Sequence, residues 1–215
     1  MHFLSPNSVL GRWMAFFLDA LLISVAWFLC CVPIVTIGAS TAALNRVAQN
    51  WMRNRSECTV RDFFVAFREN FRGATVVWLI LLVPMCIIGF NAYATWIALV
   101  KTSTAAQWMI GISAALWVAT AVYAFALQAG FENPPLRTVT NALRLALVNF
   151  VRSVILVAVF ALVLYCTYIF PFGAVFYTPI YVFLAARPVW GVFKKVMDLH
   201  DDVQEPEMNS ENEGE

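Results

Sequence analysis

Residues 74–99 read ATVVWLILLVPMCIIGFNAYATWIAL and contain no Lys, Arg, Asp or Glu. A helix needs about 20 apolar residues to cross roughly 30 Å of hydrocarbon. Two other stretches, 105–130 and 153–186, are also uncharged, and residues 13–45 carry one charge, Asp19. The pattern predicts an all-α, polytopic helical membrane protein.

The composition of the whole chain agrees with this class. Of its 215 residues, 61% are hydrophobic and 13% are charged, whereas soluble domains carry about 25% charged residues. Eight of the 13 acids follow residue 195. We therefore expect a single helical membrane domain over residues 1–195 and an acidic, disordered cytoplasmic tail over 196–215.

The number of spans depends on one segment. The stretch 153–186 is too long for one straight crossing, and Pro171 and Gly173 interrupt it, which predicts two short legs. Residues 13–45 have the same form. If residues 33–53 cross the membrane there are six spans; if they lie on its surface there are five. Both arrangements place the C-terminus in the cytoplasm by the positive-inside rule, and the six-span arrangement leaves Lys101 as the one outward base.

A charge inside an apolar helix needs a partner, because an unpaired one in a bilayer costs several kcal/mol. In the six-span arrangement Asp19 and Arg46 lie at similar depth on two antiparallel helices. This favours six spans and predicts a structural ion pair between them.

Two basic loops have amphipathic patterns that predict in-plane interfacial helices. At 100° per residue the first loop forms an aromatic stripe with arginines beside it. The residues of this first pattern are Phe63, Phe64, Phe67 and Phe71, with Arg61, Arg68 and Arg72.

The second loop repeats the design after Pro134-Pro135, a helix-start signal. Its apolar face consists of Leu136, Val139, Leu143, Ala146, Leu147 and Phe150, with Arg137 and Arg144 on the flank. The arginines would hold both helices to anionic lipid, or the helices would form a docking surface for a cytoplasmic partner.

The residues needed for chemistry are sparse. The five cysteines have no CxxC spacing, the two histidines (His2 and His200) lie near the chain ends, and no GxxxxGK[ST] motif occurs. We therefore expect no catalytic residues, no metal and no cofactor. The bases are explained by topology and belong to no nucleic-acid-binding module, so no nucleic-acid partner is expected.

Two segments carry a family resemblance. Residues 28–44 read FLCCVPIVTIGASTAAL and residues 63–75 read FFVAFRENFRGAT. Together they resemble the YesL family of bacterial integral membrane proteins, whose biochemical activity is not established. One departure is Ser24, where the family often has Asn. The resemblance implies a bacterial cytoplasmic membrane protein that accompanies uptake systems for plant-type oligosaccharides.

The expected function follows from that context. We expect a non-catalytic accessory or regulatory component of a carbohydrate uptake system, in contact with an ABC-type sugar permease. The alternative is a small-solute carrier or channel, for which Asn91 and Gln128 are the candidate polar residues within spans. Small-residue faces at Gly38/Ala42 and Gly111/Ala115 would serve internal packing or a homo-oligomer.

Overall fold

The computed structural model describes residues 9–54, 59–97, 104–131, 133–170, 173, 177, 180–186 and 191. The expected acidic tail, the basic residues from Arg187 onward and Lys101 lie outside the described residues. Within the described ranges the secondary structure is helical, without a strand, which confirms the predicted helical fold class.

Residues 180–186 are helical, and before them the described ranges contain six α-helices. They are α1 (Val9–Cys31), α2 (Ile37–Asn54), α3 (Val60–Ile97), α4 (Thr104–Gly130), α5 (Pro135–Val148) and α6 (Phe150–Ile169). A short 3-10 turn at Ile34–Thr36 links α1 to α2. Its N-cap, Pro33, is extended, with φ −76° and ψ 125°, and it has no N–H with which to continue α1.

Three of these helices are long and apolar enough to cross a membrane. They are α3 over Val60–Thr95, α4 over Thr104–Gly130 and α6 over Phe150–Ile169, and α1 has a shorter apolar part, Leu18–Cys31. Helix α2 is not among them. The number of crossings stays a prediction.

Helices α3 and α4 form an antiparallel pair whose register is fixed by two contacts. Gln128 of α4 lies against Gly73 near one end. Further along, the Trp117 indole donates to the carbonyl of Leu81 at 2.9 Å. That carbonyl lies beside the break in the backbone hydrogen-bond ladder made by Pro84, which has no N–H to donate.

Helix α2 lies in the interior of the bundle, beside the first half of α3. Five of its apolar residues are fully buried: Ala39, Ala42, Ala43, Leu44 and Ala48. At its start, Gly38 approaches α3 so closely that an added Cβ would lie 2.6 Å from the Ala74 carbonyl oxygen. The Trp78 indole donates to the Ile34 carbonyl at 2.9 Å, which holds the α1–α2 turn against α3.

This register sets the depth of the α1–α2 turn. Trp78 is six residues beyond Arg72, the last charge of α3, which is about 9 Å along a helix at 1.5 Å per residue. A further 19 residues of α3, about 28 Å, extend from Trp78 to Ile97. A turn at the far side of the membrane would lie level with the end of α3, whereas this turn lies partway along it. Helix α2 is buried in the bundle, so it does not lie on the surface as the five-span arrangement expects either.

Candidate functional site

The candidate site is the end of the bundle at which the charges of α3 are concentrated. The expected first in-plane helix is not a separate element there. Residues 60–72 are the first third of α3, which continues as one helix to Ile97. The helix continues past residue 72 because no proline stands at this point and Gly73 is held by its packing against Gln128.

The aromatic stripe of this segment is also divided. Phe63 is 0% exposed, whereas its neighbour Phe64 is 50% exposed. Phe63 stacks on Phe67 with ring centroids 6.3 Å apart, and Phe67 meets Phe71 edge to face at 5.5 Å. The expectation that all four rings face the acyl boundary is therefore wrong for Phe63, which belongs to the core formed with α2.

The outer side of the same segment carries a groove. It has a volume of about 560 Å³. The described residues that line it are Phe64, Phe67, Arg68, Glu69, Phe71 and Arg72. Arg68, Glu69 and Arg72 are exposed. A surface of this kind can hold an apolar side chain between the rings and an acid beside a guanidinium.

The second predicted amphipathic segment is a separate helix, α5. It ends where Asn149 leaves the helical conformation, with φ −99° and ψ 47°. One face is buried on the bundle, namely Thr138, Ala142 and Ala146. Leu136, Leu147 and the two arginines, Arg137 and Arg144, are exposed.

The break between α5 and α6 is supported by a side chain. In an uninterrupted helix the Ala146 carbonyl would accept from the residue-150 N–H. Here the hydroxyl of Ser153 donates to that carbonyl at 2.7 Å, and Ser153 is buried. The Asn149 N–H still donates to the Leu145 carbonyl at 2.9 Å, so the last turn of α5 is closed.

The predicted Asp19–Arg46 ion pair is not observed between these two described residues. Arg46 instead donates from Nη1 to the Ala129 carbonyl at 2.6 Å. The last carbonyls of a helix have no partner within it and carry the negative end of its dipole. The Arg46 guanidinium, for which the sequence predicts Asp19 as the partner, therefore binds the C-terminal end of α4 instead.

Sequence reasoning missed this arrangement at the end of α4. Gln49, next along the same side of α2, donates to the Ala126 carbonyl at 2.9 Å. Buried Gln128 lies 3.5 Å from the Thr138 hydroxyl, which joins α4 to α5. The spacing of Arg46 and Gln49 on one helical side is the signal that points to a common polar target.

The polar residues named for a transport path do not meet. Asn91 is exposed and donates to the Ile87 carbonyl of its own helix, whereas Gln128 is buried at the opposite end of the α3–α4 pair. In the part of the chain that the structure describes, no group of three or more His, Cys, Asp or Glu is placed to hold a metal ion. Gly38 packs inside the bundle, while Gly111 faces open space.

Comparisons with known proteins give one match. Residues 20–92 match a family described as "Protein of unknown function, DUF624". The matched range includes α2, the α1–α2 turn and the part of α3 that carries the groove. No curated protein and no solved structure matches the chain.

Proposed function

We propose that this protein is a non-catalytic accessory component of a carbohydrate uptake system, and that its groove on α3 docks a partner membrane protein. The observation that carries the proposal is the exposed pairing of Phe64 and Phe71 with Arg68 and Arg72. Aromatic and Arg side chains are enriched among the interface residues that contribute most of the binding energy.

The kind of system comes from the family resemblance. The family match at residues 20–92 contains both segments that resemble the YesL family, including Phe63–Thr75, within which the groove-lining residues lie. The resemblance implies an oligosaccharide uptake context, and hence an ABC-type sugar permease in the bacterial cytoplasmic membrane as the partner. The groove would receive a cytoplasmic segment of the permease that carries an apolar side chain and an acid.

The experiment is affinity purification of the tagged full-length protein from native membranes in mild detergent. We expect a sugar permease to co-purify in near-equal amount, and the double substitution Phe71→Ala with Arg72→Gln to reduce its recovery about tenfold. Arg61→Gln is the matched control, because Arg61 is exposed on the same segment but does not line the groove. A protein that purifies alone would overturn the proposal.

The alternative, a small-solute carrier or channel, has less support. Three of the buried polar side chains in α2 and α4 donate to backbone carbonyls of their own helix or the turn before it: Ser40 to Thr36, Asn45 to Thr41 and Thr120 to Leu116. Such bonds explain these residues without a solute. Flux through liposomes containing the purified protein would favour the alternative.

A further inference from the structure

Helix α5 has an apolar stripe that the bundle does not cover. Leu136, Leu143 and Leu147 fall within about 40° at 100° per residue. Their exposed fractions are 69%, 38% and 56%. Single exposed leucines are common on protein surfaces, but a contiguous apolar stripe marks a surface that contacts lipid or another protein.

The stripe is not an unfinished part of the core. Helix α5 already packs on the bundle through Thr138, Ala142 and Ala146, whose exposed fractions are at most 2%. These three lie on a different side of the helix from the leucines. Helix α5 therefore has two apolar sides, a small-residue side on the bundle and a leucine side pointing away from it.

Two cations border the leucine stripe. Arg137 and Arg144 lie about 80–100° around the helix from it, on the side away from the small-residue face, and both are exposed. The sequence of α5 contains no acid. The groove segment of α3 differs, because there Asp62 and Glu69 alternate with its arginines. The positive charge of α5 is therefore uncompensated within its own helix.

The contacts of α5 also fix its depth. Thr138 approaches Gln128, and Gln128 lies against Gly73, which directly follows the last charge of α3. At the other end of α5, Arg152 is the last charge before the uncharged part of α6. Helix α5 thus lies at the level at which charged residues give way to apolar ones, which is the level of lipid headgroups.

We infer that α5 is an interfacial helix that binds anionic phospholipid. Its leucines insert among the acyl chains of the inner leaflet, and Arg137 and Arg144 bind headgroup phosphates. Lipid is favoured over a protein partner because the stripe is continuous with exposed apolar residues of α6. Val151, Val154 and Ile155 are exposed just beyond the break, on a helix apolar enough to span the membrane.

The charge part of the inference is tested by thermal unfolding of the purified protein in nanodiscs. We expect phosphatidylglycerol, compared with phosphatidylcholine alone, to raise the melting temperature, and Arg137→Gln with Arg144→Gln to remove most of that rise. Arg61→Gln is the control, because Arg61 is an exposed arginine outside both α5 and the groove, and it should keep the rise. A double α5 variant that keeps the whole rise would overturn the inference.

The insertion part is tested by cysteine accessibility, read above the labelling of the wild-type chain. In phosphatidylcholine–phosphatidylglycerol vesicles, Leu143→Cys should react with a water-soluble maleimide at least tenfold more slowly than Asn141→Cys, an exposed position on the water side of α5. Equal rates contradict insertion. Protection found in native membranes but lost in vesicles of pure protein would show a protein on this face, and would also overturn the inference.

Discussion

The first third of α3 and helix α5 have similar sequences in outline, but the fold uses them differently. Both have an apolar face and flanking arginines. An Asn-Phe pair lies near the end of the first, Asn70-Phe71, and directly after the second, Asn149-Phe150. Residues 60–72 became part of a 38-residue helix, with Phe63 in the core. Helix α5 stayed separate, and three of its leucines, Leu136, Leu143 and Leu147, face outward.

The Asn-Phe pairs show where the difference arises. Asn70 is helical, and α3 continues through it. The side-chain bond is not the cause, because Asn70 donates to the Ala66 carbonyl just as Asn149 donates to the Leu145 carbonyl. Asn149 leaves the helical conformation, and this break deprives the Ala146 carbonyl of its helical N–H donor. The Ser153 hydroxyl donates to that carbonyl instead. At the corresponding place in α3, Ala74 is fully buried against α2. The lesson is that a local pattern proposes a helix end, and packing decides whether it forms.

The largest expected effect distinguishes Phe63 from Phe64, which the sequence pattern places in the same aromatic stripe. Phe63→Ala should lower the free energy of unfolding by about 3–5 kcal/mol, since it empties a fully buried site. Phe64→Ala should change it by about 0.5 kcal/mol or less, as at most surface positions. Thermal unfolding in detergent checks both, and similar losses would mean that both rings face the same environment.

A smaller effect is expected at the contact that holds the first half of α3 against α2. Gly38→Ala should cost about 2–3 kcal/mol through overpacking, because the new methyl would meet the Ala74 carbonyl, a backbone atom that cannot rotate away. Gly89→Ala and Gly111→Ala are the controls, since nothing lies near either position. Equal yields of folded protein for all three variants would contradict the close approach.

The next largest loss of stability is expected at the C-terminal end of α4, against which the first third of α3 and helix α5 both pack. Arg46→Ala removes a charged donor from the Ala129 carbonyl and should cost about 2 kcal/mol. Asp19→Ala should cost clearly less, because Arg46 is held by α4. Equal losses in the two variants, with recovery in the charge-swapped double variant, would instead restore the predicted ion pair.

A modest effect is expected at the break that separates α5 from α6. Ser153→Ala leaves the buried Ala146 carbonyl without this donor and should cost about 1 kcal/mol. Ser113→Ala is the matched control, as Ser113 is exposed and its hydroxyl donates within its own helix. If the two losses of melting temperature are the same, Ser153 does not support the break.

The last prediction concerns the depth of the α1–α2 turn in the membrane, and no change of stability is expected from it. Val35→Cys, in the exposed turn between α1 and α2, should react with a membrane-impermeant maleimide added to inside-out vesicles and not to intact spheroplasts. This follows from the level of the turn beside Trp78. Labelling from the outer side would show that α2 crosses, and would restore six spans.

The helical class and the apolar parts of α3, α4 and α6 could be predicted from the sequence, because uncharged length alone indicates them. The separate helix α5 was also predicted, since Pro134-Pro135 marks its start. Helix α2 was harder. The burial of α2 and the partner of Arg46 depend on how α2, α3 and α4 are aligned along the bundle. That alignment is fixed by the close contacts of Gly38 and Gly73, whose packing partners are far along the chain.

The continuity of α3 has a mechanical consequence. From Val60 to Ile97 it is a single rod of 38 residues, about 57 Å long, so the groove and the far side of the membrane are two ends of one lever. If a protein bound the groove and tilted that end of α3, the other end would move with it. Pro84 interrupts the hydrogen-bond ladder between them, which makes it the place where the lever bends first and where its transmission of force can be adjusted.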